Sequence, residues 1–132
     1  MDQSESAKWT QRVVVLSLAL LFFTIPHTLE DFATGAPEEA GIPASLLSLV
    51  IALIFFVQAL GLYWLGQKNR KGLFIHVGLG LFWPIASGFA QLPVIFNGYP
   101  YRAGILSMVF VFGMIILGLL MLLAAIKALR NH

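Results

Sequence analysis

Four stretches of about 20 predominantly apolar residues, joined by short polar links, constrain this chain more than any motif within it. A hydrocarbon layer about 30 Å thick is crossed by about 20 residues rising 1.5 Å each in a helix. The segments at about 9–32, 43–66, 72–95 and 102–127 meet that requirement, the first running from Trp9 through Val13 to Ile25 and on toward Phe32. Helices are expected throughout, because a helix satisfies its own backbone groups in lipid, whereas four short strands cannot close a barrel.

Composition separates this reading from that of a soluble core. Of the 132 residues, 59% are hydrophobic and 11% charged, against about 25% charged in a soluble domain. The connections, Asp31 to Gly41, Gln67 to Lys71 and Phe96 to Tyr101, hold most of the turn-forming residues. Links this short make sequential helices antiparallel. The expected fold is therefore all-α, an integral membrane four-helix bundle of up-down-up-down topology forming a single domain over 1–132. One alternative reads the first segment as a signal peptide, since Lys8 and Arg12 precede the apolar run and small residues follow at 33–36.

Lys8, Arg12, Lys68, Arg70, Lys71, Lys127 and Arg130 fall on one side of this arrangement and only Arg102 on the other. By the positive-inside rule both termini are cytoplasmic, in a multi-pass protein of the cell (inner) membrane. Membrane orientation accounts for the net charge of +2, so no nucleic-acid partner is expected. The chain has no cysteine, which excludes disulfides, thiolate nucleophiles and dithiol redox chemistry. There is no phosphate loop, dinucleotide fingerprint or Gly-x-Ser-x-Gly elbow.

Ionisable residues bordering a span are costly to keep there and define the candidate site. His27, Glu30 and Asp31 stand at i, i+3 and i+4, on one face if the helix continues past Pro26. An imidazole beside two carboxylates suits acid–base work, proton coupling or metal ligation through nitrogen and oxygen. The plainer reading is a helix end with solvated carboxylates. Counting depth along the helices brings Trp83, Ser87, Gln91 and Arg102 to the level of His27 as candidate substrate-orienting residues, with Ser107 nearby. Arg102 is expected to pair with Glu30 or Asp31, or to hold an anionic headgroup. His76 lies too near the opposite end to join His27 and reads as a histidine bonded inside the bundle. Tyr99 and Tyr101 read as interfacial belt residues, and Trp83 as belt or pocket wall. Gly78, Gly80, Gly88, Gly113 and Gly118 are expected to let helices approach closely. Pro26 and Pro84 each remove a backbone donor and loosen the turn before them; simple kinks are the more frequent outcome, and an opening framed toward the outer face is the functional alternative.

His27-Thr28-Leu29-Glu30-Asp31 resembles the motif of the bacterial HXXEE-domain family of small membrane proteins, with Asp31 in place of the second glutamate. A second similarity runs from Phe89-Ala90-Gln91 to Tyr99-Pro100-Tyr101-Arg102-Ala103-Gly104, where the family tends to place a polar residue late in a helix and a Tyr-x-Pro-Gly-like turn before the last span. The chain departs from that pattern with Gln91 where a histidine is expected and with three residues between Pro100 and Gly104. The resemblance implies a small polytopic membrane protein organised around the histidine and carboxylates, and implies no particular activity.

Three functions fit these features. The first is a small membrane enzyme or ligand-binding protein for a lipidic ligand, using His27 as acid or base, Glu30 and Asp31 as carboxylate partners or metal ligands, and Gln91 and Arg102 to orient the ligand. The second is an accessory subunit packed against another membrane protein or a second copy of this chain. The third is a small transporter, for which the carboxylates stand at the outer edge instead of the midplane.

Overall fold

The computed structural model describes residues 3–98, 101–102 and 104–132. These form four long helices, α1 (Gln3–Ala33), α3 (Ala44–Gly66), α4 (Lys71–Phe96) and α5 (Ile105–Arg130), and a short α2 (Ala36–Glu39). All four long helices are long and apolar enough to cross a membrane.

The expected segments fall inside these elements and differ from them at the ends, for local reasons. Helix α1 is already formed at Gln3, ahead of Trp9; Glu5 in its first turn complements the helix dipole and accepts a hydrogen bond from Trp9 Nε1 at 3.3 Å. Helix α5 starts only at Ile105, because Arg102 and Gly104 adopt φ of 41° and 78°, outside the right-handed helical region. The compact α3–α4 link is closed by Asn69, whose side-chain oxygen accepts from the Lys71 amide at 3.0 Å.

The helices continue through their prolines, as the expected spans require: α1 runs through Pro26, and α4 runs through Pro84 and Pro93. A proline removes one backbone bond, and neighbouring bonds and packing carry the helix across it. Around Pro26 the Thr28 hydroxyl donates to the Thr24 carbonyl at 2.7 Å. Around Pro84 the packing comes from α5, where a Cβ on Gly118 would stand 2.7 Å from Pro84 Cγ, so the ring occupies the space that glycine leaves.

Helix α5 is the hub. It packs broadly against α1 and α4, which hardly meet each other, while α3 leans on α4. The contacts run in opposite order along these pairs. Lys127 near the end of α5 lies 4.5 Å from the ring of Trp9 near the start of α1, and Ser107 at the start of α5 bonds to Glu30 near the end of α1.

Buried positions recur at alternating steps of three and four: Val13, Ser17, Leu20, Thr24 and His27 on α1, Leu73, His76, Gly80, Trp83 and Ser87 on α4, and Ser107, Val111, Met114, Gly118, Met121, Ala125 and Ala128 on α5. This spacing is the seam of left-handed helix packing. Close approach occurs at Gly80, Gly113 and Gly118, as expected, but not at Gly78 or Gly88, where an added Cβ would touch no neighbouring helix. Those two lie off the buried stripe. Gly61 and Gly72 form a further crossing, with a Gly72 Cβ only 2.6 Å from the Gly61 carbonyl oxygen.

The polarity is inverted relative to a water-soluble bundle. Small and polar side chains, among them Ser17, Thr24, Gln58, His76 and Ser107, are buried, while Phe22, Phe56, Phe89 and Ile105 are more than half exposed. Helix α3 carries this furthest, burying only Gln58, Gly61 and Leu65, all in its second half.

Candidate functional site

At the end of the bundle away from the termini, polar side chains from α1, α4, α5 and the turn before α5 come together. Because α1 continues past Pro26, His27 and Asp31 sit one turn apart on it, and His27 Nε2 lies 3.4 Å from Asp31 Oδ2. The other carboxylate oxygen of Asp31 pairs with the Arg102 guanidinium. Asp31 therefore bridges an imidazole and a guanidinium. His27 is 4% exposed and its Nδ1 has no hydrogen-bond partner among the described residues. Glu30, one residue earlier, turns toward α5 and accepts a bond from the Ser107 hydroxyl.

Arg102 has a positive φ of 41°, and its side chain reaches Asp31 on α1. Its guanidinium carbon lies 5.2 Å from the Tyr101 ring centre, and the Tyr101 hydroxyl donates to Gln91 Oε1. Tyr101 is thus buried and bonded instead of lying in an exposed belt. Burial pushes its phenol above the usual tyrosine range, with Arg102 pulling the other way. Tyr99, Pro100 and Ala103 lie outside the described residues.

Of the two pairings expected for Arg102, the one with Asp31 is present. Trp83, Ser87 and Gln91 make no hydrogen bond to His27 among the described residues. The reason is packing: α1 and α4 hardly meet, and they bond through Ser17 and His76 nearer the termini, so equal depth at this end does not bring their side chains together. Ser87 faces Met114 Sδ at 4.0 Å, and Trp83 packs with Phe55 and Phe82, at ring-centre distances of 6.1 and 5.1 Å. No group of three His, Asp or Glu side chains able to hold a metal ion occurs among the described residues. His27, Glu30 and Asp31 stand as partners in an ion-paired network, with Glu30 and Asp31 directed to different neighbours.

A second polar centre lies about 15 Å closer to the termini, ten residues earlier along α1. Gln58 Nε2 donates to the Ser17 carbonyl at 3.1 Å and to Ser17 Oγ at 3.0 Å. His76 Nε2 lies 2.9 Å from Ser17 Oγ, and His76 Nδ1 lies 2.7 Å from the Gly72 carbonyl. A carbonyl only accepts, so Nδ1 carries the proton, Nε2 accepts from the Ser17 hydroxyl, and Ser17 Oγ accepts from the Gln58 amide. His76 is a bonded histidine inside the bundle, remote from His27. Ser17 and Gln58 were not singled out from the sequence, although a lone amide in the apolar run Phe55-Phe56-Val57-Gln58-Ala59-Leu60 was a visible signal.

No protein-family model, curated protein or solved structure matches this chain.

Proposed function

We propose that the protein is a multi-pass protein of the cell membrane, four helices running up-down-up-down with both termini cytoplasmic, and that its outer end binds or converts a lipidic ligand. The placement is supported by the inverted polarity of the bundle and by the seven-to-one distribution of Lys and Arg between its ends. The observation that carries the functional reading is the bridging of His27 and Arg102 by Asp31, with His27 Nδ1 buried and unpartnered. A carboxylate that holds one imidazole nitrogen orients the ring and stabilises its protonated form, leaving the other nitrogen to exchange a proton with a ligand. Glu30 and Ser107 supply a second acid–hydroxyl pair beside it, and Gln91 with Tyr101 fixes the turn that carries Arg102. The resemblance of His27-Thr28-Leu29-Glu30-Asp31 to the HXXEE motif agrees with this centre.

Native mass spectrometry of the protein released gently from its own membranes tests the reading. A stoichiometric lipidic molecule lost on His27→Ala supports it; unchanged ligand binding after replacement of both His27 and Glu30 removes it. The second reading, an accessory subunit, is favoured by α3, whose first half buries no residue fully within the chain. A fixed heteromeric mass that survives His27→Ala would select that role instead.

A further inference from the structure

At the end that carries both termini, α1 and α5 enclose an open groove of about 1210 Å³. Its rim is basic: Lys8 and Arg12 project from α1, Lys127 and Arg130 from α5. Arg12 and Lys127 both lie on the ring of Trp9, with the guanidinium carbon 4.1 Å and the ammonium nitrogen 4.5 Å from its centre. Two cations from different helices are therefore held closer than the screening length of about 10 Å at 0.1 M salt. The indole face attracts each of them, but it does not remove their mutual repulsion. Among the described residues the carboxylate in this cluster is Glu5, and it is engaged with Lys8 at 3.5 Å and with Trp9 Nε1. The rim retains a positive excess.

Deeper in the groove the lining changes character. One turn beyond Arg12 comes Val15, 59% exposed, and one turn before Lys127 comes Leu123, 64% exposed, with Leu120 a further turn along. Positive charge at the mouth and exposed aliphatic surface below it match a molecule with an anionic head and a hydrocarbon tail.

We propose that this groove is a binding site for an anionic phospholipid of the cytoplasmic leaflet, its phosphate held between Arg12 and Lys127 beside Trp9 and one acyl chain lying along Val15, Leu120 and Leu123. The proposal rests on the membrane placement above and is independent of the site at the other end. Positive-inside orientation alone needs basic residues at this end, whereas the groove requires two of them in particular, brought together from opposite ends of the sequence.

The test is lipid binding by the full-length protein in mild detergent, followed by native mass spectrometry with phosphatidylglycerol, phosphatidylcholine or inorganic phosphate as the added probe. One phosphatidylglycerol is expected to be retained in preference to phosphatidylcholine, and Arg12→Gln with Lys127→Gln is expected to weaken it about tenfold or more. Neutralising Lys68, Arg70 and Lys71, which share this end but not the groove, is expected to change it less than threefold. Equal retention of the two lipids, or equal loss from the two sets of substitutions, overturns the proposal. Saturable binding of inorganic phosphate as tight as that of phosphatidylglycerol overturns the lipid assignment in favour of a soluble anion. Reconstitution into phosphatidylcholine nanodiscs reports membrane insertion separately, so failure of the placement is distinguishable from failure of the site.

Discussion

Arg102 combines two opposing contributions that substitution can separate. Its φ of 41° costs a side-chain-bearing residue about 1 kcal/mol relative to glycine. Its ion pair with Asp31 acts the other way, between side chains 15% and 23% exposed. Removing one partner of a fully buried pair costs about 3–5 kcal/mol, and exposed pairs contribute about 0–1 kcal/mol. Exposure of this degree places the pair between those limits, at about 2 kcal/mol. Arg102→Ala is therefore expected to destabilise by about 2 kcal/mol, since it loses the pair and keeps the backbone conformation. Arg102→Gly is expected to lose only about 1 kcal/mol, because it also relieves the strain. The assay is reversible unfolding in mixed micelles followed by far-UV circular dichroism, with Asp31→Ala and Arg102→Ala combined in a double-mutant cycle. A coupling below about 0.5 kcal/mol, within the error of additivity, or an Arg102→Gly variant no more stable than Arg102→Ala, would refute the reasoning.

Gly118→Ala and Gly72→Ala place a Cβ 2.7 Å from Pro84 Cγ and 2.6 Å from the Gly61 carbonyl oxygen, so each is expected to destabilise by about 1–3 kcal/mol in the same assay. Gly78→Ala meets nothing within 4 Å and is expected to be neutral or to stabilise by up to about 1 kcal/mol. Ser17→Ala and Gln58→Ala should each cost about 0.6–1.7 kcal/mol and be non-additive, as one bond between their side chains is lost in either; strict additivity would count against that bond. Burial raises the Tyr101 phenol, so folding favours its neutral form: the associated stability is complete below about pH 10 and is lost as pH rises through the folded value. Ultraviolet titration of wild type against Tyr101→Phe should show that the contribution of Tyr101 ionises above the usual tyrosine range.

The long elements were legible because each apolar run is continuous and the links are short. The pairing of α1 with α5 was not. Depth along a helix follows from counting residues, but the order of helices around a bundle depends on which faces fit, and that information lies in Gly80, Gly113 and Gly118 together with the residues they admit. For this reason Arg102 and Asp31 were brought together as expected, while Ser87 faces Met114 on α5 and Trp83 packs on Phe55 of α3 instead of meeting His27. The three-four spacing of buried residues was present in the sequence but concealed, because leucine and phenylalanine fill the outward positions as well and blur the contrast between faces. Gln58 could have been found as a lone amide in an apolar run, whereas Ser17 acquires its meaning only from His76 and Gln58 on two other helices.

The two buried histidines differ in what a proton would do to them. His76 has both nitrogens engaged, Nδ1 on the Gly72 carbonyl and Nε2 on Ser17 Oγ, which already accepts from Gln58. A second proton, on Nε2, would face the Ser17 hydroxyl donor to donor, and that hydroxyl would have to turn away from a position fixed by a third helix. This arrangement locks one tautomer and opposes proton exchange. His27 has Nε2 beside a carboxylate and Nδ1 without a partner, so protonation at either nitrogen breaks no bond seen in the structure. Nitrogen-15 spectra of imidazole-labelled protein are expected to show His76 as a single Nδ1–H tautomer and to keep it in Gln58→Ala with Ser17→Ala, because the Gly72 carbonyl still takes the Nδ1 proton. An Nε2–H tautomer at His76 would mean that the Ser17 hydroxyl accepts instead of donating, and the structural distinction between the two histidines would fall with it.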